Sequence, residues 1–154
     1  MWSMSMRKSA STIPIRLRPD RRDILRWLIA ALYIVAGLFH LAKPGPFVQI
    51  TPDWVPWKEQ VVFFTGIFEL VAAGFLLKAG KPQRAMGAVA LSLYALAVWP
   101  ANYNHMLLDM ARPDGGLGLE YHIPRLMAQP LLIWATLWSA WVIEWPFGRR
   151  SGKR

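Results

Sequence analysis

The sequence predicts an all-α integral membrane protein, a bundle of four transmembrane helices with a proline- and tryptophan-rich interfacial loop between the first two. Three observations support this prediction. Of the 154 residues, 55% are hydrophobic and only 18% are charged, whereas soluble domains carry about a quarter charged residues. The apolar residues form four long runs, each near the roughly 17 to 25 residues that cross a bilayer. Lysine and arginine residues gather beside these runs.

The first run covers residues 24–42 and follows a basic segment, residues 1–23, which we predict to be a cytoplasmic tail. The run ends at a Lys-Pro-Gly-Pro cluster, which breaks a helix. The next segment, residues 43–60, contains four prolines, and prolines disfavour a regular helix. Its tryptophans and other apolar residues indicate that it lies in the membrane interface instead of forming a free loop.

The second run, residues 61–77, has Glu69 at its middle. Gly66 and Gly74 flank this glutamate, and small residues allow helices to approach closely within a membrane. The third run, residues 85–108, contains Pro100. Because a proline inside a helix removes a backbone hydrogen bond, we expect it to kink this span.

The fourth run, residues 123–147, completes a predicted membrane domain of residues 24–147, and residues 148–154 form a second basic cytoplasmic tail. The basic residues predict the orientation. Seven precede or open the first run, three lie between the second and third runs, and four follow the fourth run. Four spans place these 14 on one side and leave four of the 18 on the other. The positive-inside rule then puts both termini in the cytoplasm of an inner-membrane, multi-pass protein.

The overall charge and the lack of cysteine narrow the function classes. The formal net charge is +9, but no nucleic-acid-binding motif accompanies it, so the lipid bilayer is the predicted partner of the basic residues and nucleic acid is not. The chain has no cysteine. Disulfides, thiol redox chemistry, cysteine zinc sites and iron–sulfur clusters are therefore excluded.

Seven polar residues within the apolar runs are candidates for a pocket, because polar groups inside a membrane are costly and are often functional. The predicted topology gathers them in the outer half of the bundle, where all three histidines also lie. The candidates are His40, Glu69, Asn102, Asn104, His105, Arg125 and Gln129. We therefore predict a polar pocket open to the outer face, and no metal.

Each candidate also has a structural interpretation. Glu69 is the strongest functional candidate, although it could serve only as a paired group within the bundle. His40 and His105 suit hydrogen-bonding roles better than metal or haem ligation. Asn102 could satisfy a backbone carbonyl freed by the nearby proline. Arg125 could extend to the lipid headgroups, or it could hold an anionic substrate or a quinone oxygen.

Four sequence elements, in order, resemble the DoxX-like family of small membrane proteins over about residues 31–138. They are "GLFHLAKPGPFVQITPDWVPW", "TGIFELVAAGFLL", "AVWPANYNHML" and "IPRLMAQPLLIWA". The resemblance implies a four-helix membrane bundle. Five positions match the family motifs: His40, Glu69, Pro100, Asn102 and Gln129. His105 and Arg125 rest on the topology alone.

The resemblance also implies two classes of function. Some relatives are linked to quinone-dependent oxidoreductases, including thiosulfate oxidation, and others are accessory or chaperone-like membrane subunits. We therefore expect a subunit of a quinone-linked redox system, with quinone as the fitting cofactor class and haem disfavoured. The alternative is a non-catalytic accessory or assembly subunit that packs on a larger membrane complex. Either function predicts a membrane protein partner or a homo-oligomer.

Overall fold

The structure is a computed structural model that describes residues 19–146, and this range contains helices and no strand. Both predicted tails fall largely outside it, since residues 1–18 and 147–154 lie outside the described residues. The helices are α1 (Arg21–Ala42), α2 (Gly45–Ile50), α3 (Lys58–Leu77), α4 (Lys81–Ala97), α5 (Trp99–Met110) and α6 (Leu119–Ser139). The fold is therefore all-α, as predicted.

Helix α1 begins three residues before the apolar run because Asp20 caps it. The Asp20 and Asp23 side chains form a capping box, in which each carboxylate accepts from the backbone near the other residue. Such a box satisfies N–H groups that have no partner within the helix. The residues assigned to the end of the basic tail thus already form the first turn of α1.

The segment between the first two spans is more regular than predicted. Residues Gly45–Ile50 form a short helix, α2, with Pro46 in its first turn. Proline is tolerated there because first-turn N–H groups have no acceptor within the helix. The hydroxyl of Thr51 donates to the Phe47 carbonyl at 2.8 Å and closes the last turn. The prediction that four prolines exclude a helix was therefore wrong for these six residues.

The third predicted span is divided in two near Pro100. Helix α4 ends at Ala97, α5 begins at Trp99, and Pro100 occupies the first turn of α5. The expected kink at this proline is confirmed as a break between two helices. Lys81–Met110 nevertheless remains long and apolar enough, as a whole, to cross a membrane.

Helix α6 ends at Ser139, not at residue 147 as predicted. Trp141 has a positive φ of 64°, and its N–H bonds back to the Trp138 carbonyl. The N–H of Val142 reaches the Leu137 carbonyl at 3.0 Å, which together with Trp141 makes a Schellman-type ending. This turn places Trp141 and Trp145 beyond the end of the helix. The continuous apolar sequence gives no sign of it.

The long helices form a closed bundle in which α1 packs on α3, α3 on α4, α4 on α6, and α6 again on α1. Three of the helical segments are long and apolar enough to cross a membrane: Arg21–Ala42, Lys58–Leu77 and Lys81–Met110. Their outward side chains include exposed Leu28, Phe64 and Leu93. Helix α6 is outside that set, because charged and polar residues lower its hydropathy.

Glycines set the closest helix approaches. A Cβ on Gly37 of α1 would lie 2.8 Å from the Gly66 carbonyl oxygen of α3. A Cβ on Gly87 of α4 would lie only 2.4 Å from the Leu76 backbone nitrogen. The predicted packing role of Gly66 is confirmed. The one predicted for Gly74 was wrong, because a Cβ there would meet nothing within 4 Å.

The bundle has two ends with different surroundings. At the tail end lie the start of α1, the α3–α4 turn and the end of α6. Here the buried Arg22 donates to the Trp138 carbonyl at 3.0 Å, and the buried Arg26 donates to the Leu76 carbonyl at 3.1 Å. At the loop end lie the end of α1, α2, the start of α3, and α5. The cavity and the polar cluster described next lie toward this end.

Candidate functional site

A cavity of about 700 Å³ lies inside the bundle, lined by residues from all six helices. Its wall is mostly apolar. Segment 47–55, which begins with the last four residues of α2, covers it at the loop end. Five of the seven predicted pocket residues line it: His40, Glu69, Asn102, Arg125 and Gln129. Asn104 and His105 are not part of its wall.

His40 and Glu69 meet inside this cavity because Gly66 lets α1 and α3 approach one turn away. The imidazole Nδ1 of His40 lies 3.0 Å from the Oε2 of Glu69 and 2.9 Å from the Ala36 carbonyl oxygen. A carbonyl only accepts, so Nδ1 carries a proton directed at Ala36. One N–H cannot serve both oxygens well. Glu69, which is 2% exposed, therefore keeps Oε2 without a hydrogen-bond partner among the described residues.

Gln129, in the wall of the same cavity, has a second buried acceptor. Its Nε2 donates to the Ala95 carbonyl at 3.0 Å, which joins α6 to α4. Because that carbonyl can only accept, the contact identifies the amide nitrogen and leaves Oε1 as the other atom. Oε1 is buried and has no hydrogen-bond partner within the described range. Two residues of the cavity wall thus have a buried oxygen without a well-formed hydrogen bond among the described residues, and Tyr94 also hydrogen-bonds to the Glu69 carboxylate.

The covering segment is held to the bundle by two of the predicted residues. The His40 ring stacks on Phe47 of α2 with ring centroids 3.8 Å apart. Asn104 of α5 donates from Nδ2 to the Ile50 carbonyl at 3.0 Å. Asn104 therefore anchors the cover of the cavity from outside. This role explains why Asn104 lies near the predicted pocket residues but does not line the pocket.

Two leucines in the cavity wall are also exposed on the surface of the protein. Leu32 of α1 and Leu131 of α6 both line the cavity, and both are more than half exposed. The wall of the cavity is therefore not buried throughout.

Tyr33 and Tyr94 also line the cavity, and sequence reasoning missed them. Both are buried, and their rings meet edge to face with centroids 6.3 Å apart. In the sequence they look like ordinary aromatic residues of an apolar helix. Only the tertiary fold, in which α1 and α4 both pack on α3, places their hydroxyl-bearing rings beside Glu69.

His105 belongs to a second polar group, between α5 and α6, that the sequence analysis did not assemble. Its Nδ1 accepts from Arg125 Nη1 at 2.7 Å, and its Nε2 lies 3.6 Å from Asp109 Oδ2. The same Oδ2 lies 2.9 Å from His122 Nε2 and accepts from the Leu117 N–H at 3.1 Å. The spacing of His105 and Asp109, four residues apart on one helix face, is the signal that could have revealed it.

The loop between α5 and α6 carries its own charged turn. The backbone N–H of Gly116 donates to Asp114 at 3.1 Å, and Arg112 pairs with the same carboxylate. These contacts hold the pKa of Asp114 below its ordinary value. Asp114 is exposed and contributes no atom to the His105 group, although its partner Arg112 also lies 3.9 Å from Asp109. Asp114 serves below as a control position.

The comparison with protein families identifies one match. The family described as Domain of unknown function (DUF8561) matches residues 29–141. The chain belongs to this family. The matched stretch includes all seven predicted pocket residues, and Asp109 and His122 as well. No curated protein and no solved structure matches the chain.

Proposed function

We propose that the cavity binds a lipid-soluble quinol, the reduced form of a membrane quinone, as part of a quinone-linked redox system. The observation that carries this proposal is the pair of buried acceptor oxygens in a mostly apolar wall, Glu69 Oε2 and Gln129 Oε1, neither of which has a well-formed hydrogen bond among the described residues. A buried acceptor without a donor costs about 1–3 kcal/mol, so a ligand that supplies O–H groups is favoured. A quinol carries two hydroxyl groups on an apolar ring, whereas a quinone offers only acceptors.

The rest of the cavity suits such a ligand. Ligand sites are mostly apolar with a few placed polar groups, and volumes of roughly 300–1,000 Å³ are usual. The cavity of about 700 Å³ fits within that range. Leu32 and Leu131, which line the cavity and are exposed, would give an isoprenoid tail a path to the lipid phase.

Glu69 and His40 are the groups that would handle protons. A quinol that is oxidised to a quinone releases two protons and two electrons. Glu69 can take one proton from a hydroxyl bonded to it, and His40, whose protonated Nδ1 lies 3.0 Å from Glu69, can take the other on its unprotonated Nε2. The chain has no cysteine, so we propose that a membrane protein partner supplies the electron acceptor.

The proposal includes the placement in the membrane. Helix α6, with 21 residues, is about 31 Å long at ~1.5 Å per residue, so it can cross a bilayer as the fourth span. Both termini then lie in the cytoplasm of an inner membrane, and the loop end faces outward. The DoxX-like resemblance supports the same four-span arrangement.

A second candidate, an accessory subunit of a larger complex, is favoured by one observation. Trp54 and Trp57 in the segment before α3 are 74% and 77% exposed, and exposed tryptophans are common at protein interfaces. The fourth-span tryptophans support it less, because Trp134 and Trp138 stack on each other and Trp134 donates to the Trp145 carbonyl. A stable complex from native membranes, without quinol binding, would favour this candidate.

Calorimetric titration of the detergent-solubilised protein tests the first proposal. The probes are decylubiquinol, kept reduced under argon, and decylubiquinone. We expect saturable binding with the quinol bound at least about tenfold more tightly, since a hydrogen bond to a charged group contributes ~1.5–3 kcal/mol. Glu69→Gln, which keeps the shape but removes the charge, should weaken quinol binding by a similar factor.

Glu59→Gln is the matched control. Glu59 lies in the first turn of α3, is exposed and does not line the cavity. This variant should bind the quinol like the unmodified protein. The proposal fails if the unmodified protein shows no saturable binding, or if the two glutamine variants bind equally well.

A further inference from the structure

We propose that His105, Asp109 and His122 form a binding site for a divalent transition-metal ion, at the loop end and separate from the cavity. One donor atom from each residue lies within 4.8 Å of the other two. His122 is fully buried, Asp109 is 6% exposed, and His105 is partly buried. Two imidazoles and one carboxylate, held by two different helices, are a donor set that such ions use.

The backbone places the three side chains well. His105 and Asp109 are four residues apart on α5, so they share one face of that helix. His122 projects from the first turn of α6, and its ring centroid lies 4.9 Å from that of His105. Around a tetrahedral ion, donors at ~2.0–2.2 Å lie about 3.3 Å apart. Small side-chain rotations would therefore bring all three donors onto one ion.

His122 can become a metal ligand at Nε2 if its proton moves to Nδ1. Nε2 lies 2.9 Å from Asp109 and donates to that carboxylate, because a carboxylate only accepts. Nδ1 has no hydrogen-bond partner within the described residues, so it is the unprotonated nitrogen. When a cation takes the place of the proton at Nε2, the proton can move to Nδ1 without the loss of a second hydrogen bond.

Arg125 opposes the metal at His105. Its guanidinium donates to Nδ1 at 2.7 Å, and because arginine is always a donor, the proton of a neutral His105 must lie on Nε2. Nε2 is the atom that faces Asp109. Metal binding therefore requires Arg125 to release His105, so that the proton can move to Nδ1. The positive charge of Arg125 also repels a cation at this distance.

Three protein ligands leave at least one coordination position open. The metal could then hold a water molecule or an exchangeable ligand next to the loop between α5 and α6. The mixed nitrogen and oxygen donors suit Zn²⁺ and its neighbours in the first transition row. Co²⁺ is a useful probe because its visible absorption reports on coordination by nitrogen and oxygen.

The test is a titration of the purified, metal-free protein with Zn²⁺ by calorimetry and with Co²⁺ by visible absorption. We expect one ion per chain. His105→Gln, Asp109→Asn and His122→Gln should each weaken binding at least about tenfold, the scale on which ligand environments affect metal affinity. Arg125→Gln should instead tighten binding, which an unfolded variant could not do.

Two variants serve as controls. Asp114→Asn removes an exposed carboxylate from the adjacent loop, and Arg84→Gln removes a guanidinium at the tail end. Both should bind Zn²⁺ like the unmodified protein. Absence of stoichiometric binding, or tight binding that survives Asp109→Asn, would overturn the proposal, as would weaker binding by Arg125→Gln. Quinol binding in the cavity is measured separately, so each proposal can fail without the other.

Discussion

The tail end and the loop end of the bundle use buried polar side chains differently. At the tail end, Arg22 and Arg26 donate to main-chain carbonyls at the ends of α6 and α3. Cations at helix C-termini are favourable because the last carbonyls lack partners and carry partial negative charge. Arg22 also lies over the ring of Trp141 at 3.8 Å. These arginines therefore hold helix ends together.

The core of the bundle shows the same difference. Fully buried Ala73, Leu76, Ala88 and Leu91 fill the space where α3 and α4 pack. Toward the loop end a cavity replaces such side chains, and its wall includes Glu69 and Gln129, each with a buried oxygen that has no well-formed hydrogen bond among the described residues. Dense packing provides stability, whereas an unfilled space with free acceptors indicates ligand binding.

The largest expected effect comes from closing the tightest contact. In Gly87→Ala the new Cβ would lie 2.4 Å from the Leu76 backbone nitrogen and 2.7 Å from the Ala72 carbonyl oxygen. Both neighbours are backbone atoms, so α3 and α4 must move apart. We expect the free energy of unfolding to fall by about 3 kcal/mol, the upper range for overpacking. Denaturation of the detergent-solubilised protein with sodium dodecyl sulfate measures it.

Gly74→Ala is the control for this substitution, because a Cβ at Gly74 meets nothing within 4 Å. Alanine favours a helix over glycine by up to about 1 kcal/mol, so this variant should be as stable as the unmodified protein or more stable. Equal stability of the two alanine variants would show that α3 and α4 do not approach as closely as described.

An intermediate effect is expected at the loop end. In Gly66→Ala the Cβ would lie 2.9 Å from the Cβ of His40 and 3.0 Å from the Gly37 carbonyl oxygen. We expect a loss of about 1–2 kcal/mol in unfolding free energy from overpacking. The displacement of His40 from Glu69 should also weaken quinol binding. Measuring both properties separates this variant from Gly87→Ala, which should lose stability while its folded fraction keeps its affinity for quinol.

The contrasting outcome is as informative. If Gly66→Ala lost stability but bound quinol normally, the spacing between His40 and Glu69 would have no role in binding. Glu69 would then have only a structural role in α3, as Arg22 and Arg26 have at the tail end.

The sequence predicted the apolar helices well because hydropathy is a local property. Runs 24–42 and 61–77 end at the same residues as α1 and α3. The end of α6 was missed because the left-handed turn at Trp141 is formed by tryptophan, whereas glycine is the usual signal. Helix α2 was missed because the prediction weighed the number of prolines and not their positions. Pro46 occupies the first turn of α2, where proline is tolerated.

The sequence predicted which end of the bundle the polar residues lie near, but not which neighbouring helix each one faces. Membrane topology placed seven polar residues near one end of the bundle, but topology does not show which face of a helix meets which neighbour. Five of them line the cavity, whereas Asn104 anchors its cover and His105 faces α6. Asp109 lies just beyond the third predicted run, residues 85–108, although α5 continues to Met110. The contacts that decide these roles depend on close helix approach, which hydropathy does not encode.

The smallest expected effect concerns the cover of the cavity. Asn104→Ala removes the hydrogen bond from α5 to the Ile50 carbonyl. One such bond contributes about 1 kcal/mol, and here it acts on α2 alone. We therefore expect little change in global unfolding but faster amide hydrogen exchange in residues 45–50, because local opening of α2 becomes easier. Quinol dissociation should also be faster.

Gln49→Ala is the matched control, since it removes an exposed amide side chain from the same short helix. It should leave exchange and quinol dissociation unchanged. If Asn104→Ala behaved like this control, α2 would be held by the stack of Phe47 on His40 instead. His40 would then join the cover, through Phe47, to Glu69. Opening of the cavity would therefore be coupled to His40, which we propose receives a proton.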